Sequence, residues 1–389
     1  MLGTKIRKKG ESAKLSAGLF RIIPDDPLPF QVFALFLQQA FVISERKQNS
    51  MDKIDFVVTW VDASDSQWQE QLACYRKTDK GDKAKARFRD MDIFRYWFRA
   101  VERYAPWVNK VYLITNGKNP AWLNLNHPKL VTVSHSDYMP EECLPTFNSC
   151  AIELYMNRIK GLAEQFVYFN DDMLLNGPVA PDYFFRKGLP CDYNKETCFN
   201  VPIYTPTERF NITMSMLADL GLVNAHFDRW ETVQASPWRW FGPHLGWKGL
   251  LMSSILMKQR LFVGFSNYHT EQALLKSTLD EVWQTEPGFL RASCTRFREE
   301  VIAGPYLFRY WQFAQNRFYP KKRSFACFQI VKKEIIKDIR KALFNEKISS
   351  VCLNDTPFCN EADFGLVKAE LVSMFEEKFP EKSSFETDL

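Results

Sequence analysis

Between residues 54 and 175 the chain switches repeatedly between two hydrophobic periods, and that alternation leaves few folds open. From Ile54 to Val61 every residue except Asp55 is β-branched or aromatic, the pattern of a strand buried on both faces, and the run stops at Asp62, Ser64 and Asp65. In "DMDIFRYWFRAVERY" the period changes: Ile93, Phe94, Trp97, Phe98 and Val101 recur at helical spacing, with Arg95, Arg99, Glu102 and Arg103 on the other side. "KVYLITNG" and "KLVTVS" are two further strands closed by turn residues, with Asn116 just past the first. "SCAIELYMNRIKGLAEQ" then places Ile152, Tyr155 or Met156, Ile159 and Leu162 on one helical face. It leads into "FVYFNDDMLL", a strand that runs straight into Asn170, Asp171 and Asp172. Strand, helix, strand, strand, helix, strand predicts an open, mostly parallel α/β sheet, whose ligands bind beyond the carboxyl ends of the strands. Two adjacent carboxylates at such an end therefore stand where a ligand belongs.

The remaining sequence is expected to build around that sheet. About residues 178 to 310 the text is irregular and rich in aromatics and Pro, as in "ASPWRWFGPHLGWKG", and reads as inserted loops and helices forming a lid or acceptor wall. Helical periodicity returns in Ile335, Ile339 and Leu343, and again in Phe364, Val367, Leu371 and Phe375. At the front, Pro29 to Ile43 is apolar but shorter than the roughly 20 residues a membrane span needs, and it carries glutamines. It reads as a docking or core helix, as an interfacial anchor, or as part of an extension ahead of a start at Met51. Fifty-one basic residues against 46 acidic give a net charge of +5, too little to argue for nucleic acid, though it suits an anionic small substrate or a membrane surface. Nine cysteines show neither C-x-x-C nor zinc spacing, which predicts mostly reduced thiols in a cytoplasmic protein. For an exported chain the pairs to consider are Cys191 with Cys198 and Cys352 with Cys359, but the start lacks an apolar signal core.

Several side chains are candidates for chemistry. Asp171 and Asp172 suit Mg²⁺ or Mn²⁺, which takes oxygen ligands and leaves positions for a diphosphate; alternatively they cap the following turn. Asp62 and Asp65 close the first strand in the same way, and Trp60 and Asp62 are candidates for substrate binding. Arg87, Arg89 and Asp90 precede a helix, where guanidinium groups and the helix N-terminus favour phosphate oxygens. Glu153 follows the candidate caps Asn148 and Ser149, so it is either a functional carboxylate or a favourable charge near a helix start. His269, in "SNYHTEQALLKSTLDEVW", is a candidate base or a satisfied histidine. Arg296 and Arg298, in "CTRFREE", bind an anion or form surface ion pairs. The basic helix "KKEIIKDIRK" is a solvated face or a contact for an anionic lipid-linked acceptor.

In combination these residues resemble the Stealth family of sugar-phosphate transferases, which includes bacterial capsular polysaccharide phosphotransferases and the lysosomal GlcNAc-1-phosphotransferase. The resemblance lies in four blocks: "IDFVVTWVDASDSQW"; the stretch from "RFRDMDIFRYW" through "FVYFNDDMLL"; "NYHTEQALLKSTLDEVW"; and "CLNDTPFCNEADFGLVKAELVSMFEEKFPEKSSFE". It implies a Rossmann-like, glycosyltransferase-A-like sheet in one catalytic domain over residues 51–389. The donor-site sheet would occupy about 53–177, the lid or acceptor insertions about 178–310, and a helical part about 311–389, with 1–50 as an extension. It also implies transfer of a hexose or N-acetylhexosamine 1-phosphate from a UDP-sugar to an acceptor hydroxyl, with release of UMP. The family's essential positions fall on Glu153, Asp172, His269 and an arginine of "TRFREE", Arg296 or Arg298.

On this reading Mg²⁺ at Asp172, with Asp171 or Asp62 assisting, meets the donor diphosphate, arginines neutralise the rest, and His269 or Glu153 takes the acceptor proton. The acceptor is an oligo- or polysaccharide, free or lipid-linked, met in the cytoplasm or at the inner face of the membrane. The rival is a metal-dependent glycosyltransferase that attacks the anomeric carbon and releases UDP; a third possibility is a non-catalytic carbohydrate-binding protein.

Overall fold

The structure, a computed structural model, describes residues 53–75, 89–199, 208–297, 303–330, 333–355 and 359–387. Residues 1–50, with the apolar segment from Pro29 to Ile43, lie outside the described residues, as do Arg87 and Arg298. Among the described residues, no helix is long and apolar enough to cross a membrane.

The strands, in chain order, are β1 (Ile54–Thr59), β2 (Val111–Thr115), β3 (Leu130–Ser134), β4 (Gln165–Asn170), β5 (Met173–Leu175), β6 (Phe185–Arg186), β7 (Leu189–Asp192), β8 (Gln272–Leu275), β9 (Tyr319–Pro320), β10 (Phe325–Ile330) and β11 (Ser350–Asp355). The central sheet has the order β3-β2-β1-β4-β8 and is parallel except for β8, which runs antiparallel to β4. All four parallel strands are those expected from the sequence. The chain leaves β1 on one side to build β2 and β3, then returns to place β4 on the other side, so β1 and β4 flank the topological switch point.

Alternating residues sort to the two faces of this sheet. Phe56, Val58, Val167 and Phe169 face one core with helix Phe94–Tyr104 and the C-terminal helix Glu361–Lys378. Val57, Phe166 and Tyr168 face the other, with helices Ser149–Leu154, Lys276–Thr285 and Leu307–Ala314. The helix expected through "SCAIELYMNRIKGLAEQ" is only six residues long and gives way to a 3-10 turn, Met156–Arg158, although Ile152, Met156, Ile159 and Leu162 are all buried as the spacing requires.

Two further sheets were not legible beforehand. β5 leaves the central sheet and pairs antiparallel with β11, which in turn pairs parallel with β10; β6, β7 and β9 form a small third sheet. Asp171 and Asp172 are thus the two-residue corner between a strand of the first sheet and a strand of the second.

Seven of the nine cysteines are free, as expected of mostly reduced thiols, and one pair is the exception. Cys143 and Cys294 are joined as a disulfide, with Cα atoms 5.9 Å apart, while Cys191, Cys198, Cys352 and Cys359 are free. The bonded pair lies 151 residues apart, a separation that spacing patterns do not reveal. It ties the segment ahead of helix Ser149–Leu154 to the end of helix Pro287–Ala292.

Candidate active site

The antiparallel entry of β8 into the sheet builds the site. Tyr168 of β4 pairs with Gln272, the first residue of β8, so the chain just before Gln272 lies beyond the carboxyl end of β4. His269 is three residues earlier, and its Nε2 sits 3.2 Å from Asp172 Oδ2. The second sheet closes the other side: Leu353 N–H donates to the Asp172 carbonyl at 2.9 Å, and the Cys352 thiol lies 3.5 Å from the same Oδ2. Ligand atoms of Asp172, His269 and Cys352 all lie within 4.8 Å of one another.

Asp171 is exposed and Asp172 is half-buried, and protein crowds both carboxyl groups. Burial, then the neighbouring Asp172 and Asp90 carboxylates, push the Asp171 carboxyl up to about 7. Burial acts the same way on Asp172, but the charge and hydrogen bond of His269 outweigh it and hold Asp172 below the ordinary carboxylate range. Asp90 is also raised, chiefly by burial. Asp172 Oδ1 is buried and has no hydrogen-bond partner among the described residues. A buried carboxylate oxygen left over, beside a second carboxylate that resists ionisation, fits a hard divalent cation. The oxygen, nitrogen and sulfur set around Oδ2 would instead suit a softer ion.

Glu153 is buried and reaches this corner indirectly. The Tyr168 hydroxyl lies 3.2 Å from Glu153 Oε1 and 2.7 Å from Asn170 Oδ1, linking the helix carboxylate to the residue before Asp171. Asn148 is the N-cap of that helix, accepting from Cys150 N–H, and its amide also donates to Thr295 Oγ1 at 3.0 Å. Arg296 donates to the carbonyls of Pro145 and Leu144 at 2.9 and 3.2 Å and covers the Tyr75 ring at 4.1 Å. With the disulfide, Asn148 and Arg296 lace the segment 143–148 to 294–297, which seats the Glu153 helix.

The other strand-end residues divide. Trp60 stacks on Phe94, with centroids 5.8 Å apart, and packs against the core. Asp62 closes its own turn, accepting from Ser64 N–H and Oγ at 2.9 and 2.6 Å. Asp65 pairs with Lys118, which holds its carboxyl below the usual range. Asn116 Oδ1, past the end of β2, is buried with no hydrogen-bond partner among the described residues. Arg89 is engaged elsewhere than on a phosphate: it makes two bonds of 2.8 and 2.9 Å to Asp355, another of 3.0 Å to Glu361, and lies over Phe364. It ties the loop ahead of helix Phe94–Tyr104 to the end of β11.

Cys352 is the site residue that sequence reasoning missed. The sequence reading treats it only as a possible partner of Cys359, whereas its register partner in the parallel pair is Cys327. Cys327, the exposed member, is lowered to about 7 by its hydrogen bond with Cys352, with the His269 charge assisting. The short apolar run Val351–Leu353 between polar residues was the available signal, since it reads as a buried strand rather than a loop.

Residues 87–191 match a family profile described as Stealth protein CR2, conserved region 2, and residues 52–80 match Stealth protein CR1, conserved region 1. Among characterised relatives, a capsular polysaccharide phosphotransferase, WcwK, of Streptococcus pneumoniae is 36% identical over 346 residues, an alignment that spans 86% of this chain and 100% of the relative. A receptor polysaccharide phosphotransferase, WefC, of Streptococcus oralis is 36% identical over 345 residues, with 86% and 100% covered. An exopolysaccharide phosphotransferase, cps2G, of Lactiplantibacillus plantarum is 37% identical over 340 residues, with 86% and 96% covered. Among solved structures, the apo-form glycosyltransferase GlyE of Streptococcus pneumoniae aligns over 85% of this chain and 90% of its own at 9% identity, with a TM-score of 0.21, too low to bear on the fold.

Proposed function

The chain belongs to the Stealth family, and on that premise we propose that it is a capsular or cell-surface polysaccharide phosphotransferase. In this reading it moves a hexose or N-acetylhexosamine 1-phosphate from a UDP-sugar to a hydroxyl of an oligo- or polysaccharide acceptor, free or lipid-linked. The observation that carries the reading is the contact between His269 Nε2 and Asp172 Oδ2 at the switch-point edge of the sheet.

Asp172 fixes the ring: with Nε2–H directed at Oδ2, the basic lone pair of neutral His269 lies on Nδ1. His269 keeps 37% of its side chain exposed, so an acceptor hydroxyl can reach it, whereas Glu153 is buried behind Tyr168. We therefore assign the base to His269 and a positioning role to Glu153. His269 takes the proton from the acceptor hydroxyl, the hydroxyl oxygen bonds to the phosphorus that bears the sugar, and the bond from that phosphorus to the bridging oxygen breaks, releasing UMP. Asp171 and Asp172 Oδ1 would hold Mg²⁺ or Mn²⁺, which supplies neutralising charge to the donor diphosphate. Arg296 acts by seating the Glu153 helix.

The test is product analysis after incubation with UDP-sugars, Mg²⁺ and a capsule oligosaccharide. UMP and a phosphodiester resonance in the phosphorus NMR spectrum of the saccharide are expected. UDP with a phosphorus-free glycosidic product would replace this reading with a glycosyltransferase.

A further inference from the structure

The cluster around Asp172 Oδ2 mixes donor atoms that a Mg²⁺ site has no use for. His269 Nε2 lies 3.2 Å from that oxygen, Cys352 Sγ lies 3.5 Å from it, and the three atoms fall within 4.8 Å of one another. A hard cation takes oxygen ligands, whereas thiolate and imidazole select Zn²⁺ and other thiophilic ions. Distances test whether the set could close on one. With bonds of about 2.1 Å to oxygen and nitrogen and about 2.3 Å to sulfur, a tetrahedral Zn²⁺ holds its oxygen about 3.4 Å from the nitrogen and about 3.6 Å from the sulfur. The two contacts of Oδ2 match those edges to within about 0.2 Å. An ion can therefore replace the protons that now join these atoms without a shift of the backbone.

Cys327 supplies a fourth donor. It is the register partner of Cys352 in the parallel pair of β10 and β11, so both side chains leave the sheet on one face, and the two thiols are hydrogen-bonded. Cys327 is exposed, and the side chains of His269 and Asp172 are 37% and 21% exposed, so an ion reaches the set from solvent although Cys352 is buried.

We propose that Asp172 Oδ2, His269 Nε2, Cys352 and Cys327 form a site for a thiophilic divalent cation, Zn²⁺ fitting best, and that its occupation switches transfer off. An ion on Nε2 leaves the single proton of the neutral ring on Nδ1, the nitrogen whose lone pair would receive the acceptor proton, while each thiol gives up its proton to solvent. Asp172 Oδ1 remains free for Mg²⁺, so the two ions do not compete for one oxygen. The inhibition rests on the phosphotransferase reading, which makes His269 the base; the binding does not.

The test uses the full chain with its thiols reduced, and Co²⁺ as a coloured substitute for the d¹⁰ ion Zn²⁺. Titration with Co²⁺ without substrates is expected to raise a thiolate-to-cobalt charge-transfer band in the near ultraviolet. The band should saturate at about one ion per chain, be displaced by Zn²⁺, and be lost when Cys327→Ser and Cys352→Ala are combined. Transfer at saturating Mg²⁺ is expected to fall at least about tenfold when Zn²⁺ is added and to recover when a zinc-selective chelator removes it. In Cys327→Ser the uninhibited rate should be unchanged, while half-inhibition should need at least about tenfold more Zn²⁺, the least that losing even an outer-shell partner costs. No band, or an equal band in the double variant, overturns the site. Inhibition that excess Mg²⁺ reverses, with no band, places Zn²⁺ at the hard-cation position and overturns it too. A thiol-dependent band with undiminished transfer keeps the site but removes the inhibition, and with it His269 as the base. Release of UDP in the product analysis changes the reaction type and leaves the band to decide the site. Should the double variant not fold, a band that Cys327→Ser leaves at unaltered Co²⁺ affinity overturns the four-ligand site.

Discussion

Asp172 divides its two oxygens, Oδ2 toward His269 and Cys352, Oδ1 buried without a hydrogen-bond partner among the described residues and free for the proposed cation. Asp172→Asn keeps the volume and removes the charge that the two oxygens share. Turnover is expected to fall at least about 10²-fold while the melt stays cooperative, and His269→Ala is expected to fall within the 10²–10⁴-fold that a general base contributes. Kinetics alongside a thermal melt check this; loss of both activity and melt in Asp172→Asn would make the residue structural. The corner carboxylates were legible in sequence because a buried strand rarely ends in two charges without cause. Cys352 was not, because its proximity depends on β5 crossing to β11, a pairing between strands about 175 residues apart that no local period encodes.

At the scale of elements, the C-terminal segment shows how far a pattern can be read. The apolar positions Phe364, Val367, Leu371 and Phe375 are buried along helix Glu361–Lys378 as their spacing requires. The "FPEKSSFE" tail folds back onto helix Phe94–Tyr104 and the β2–β3 connection. Glu386 bonds Arg99 at 2.8 and 2.9 Å, Phe385 packs on Phe98, and Asn124 N–H donates to the Phe385 carbonyl. Arg99, which helical periodicity puts on the solvent side, is consequently buried at 5% exposure. The reason is physical: a polar helix face becomes interior once a distant segment brings a matched carboxylate. Breaking such a buried pair costs up to about 3–5 kcal/mol where the remaining charge is left unpaired, and less here because Arg99 keeps Glu376 and the Phe379 carbonyl. Glu386→Ala should therefore lower the melting temperature by several degrees, yet keep near-normal transfer at low temperature where the chain stays folded. Selective loss of transfer without loss of stability would give the tail a part in the site instead.

For the molecule as a whole, the proposed cation site at Asp171 and Asp172 would couple metal binding to stability through protons. The Asp171 carboxyl, ordinarily near 3.8, stands at about 7 in the fold because burial, Asp172 and Asp90 all oppose its charge, and Asp90 is shifted in the same direction. Between those two values the unfolded chain has lost a proton that the folded one keeps. The contribution of Asp171 to stability without a divalent cation is therefore fully present near pH 4 and lost as pH rises to about 7, while His135 and His244, pushed down to about 4 by burial, contribute in the opposite sense over the same range. Asp172, shifted downward, acts the opposite way but only at more acidic pH, outside that window. A cation at Asp171 and Asp172 Oδ1 removes the repulsion and must displace the proton that Asp171 still holds at low pH. Mg²⁺ should accordingly raise the melting temperature more at pH 8 than at pH 5, and the gain should shrink at pH 8 in Asp171→Asn, which is also expected to be the more stable protein without Mg²⁺. An equal Mg²⁺ gain at both pH values in the wild type would place the cation away from Asp171 and leave the raised carboxyl without a role in binding it.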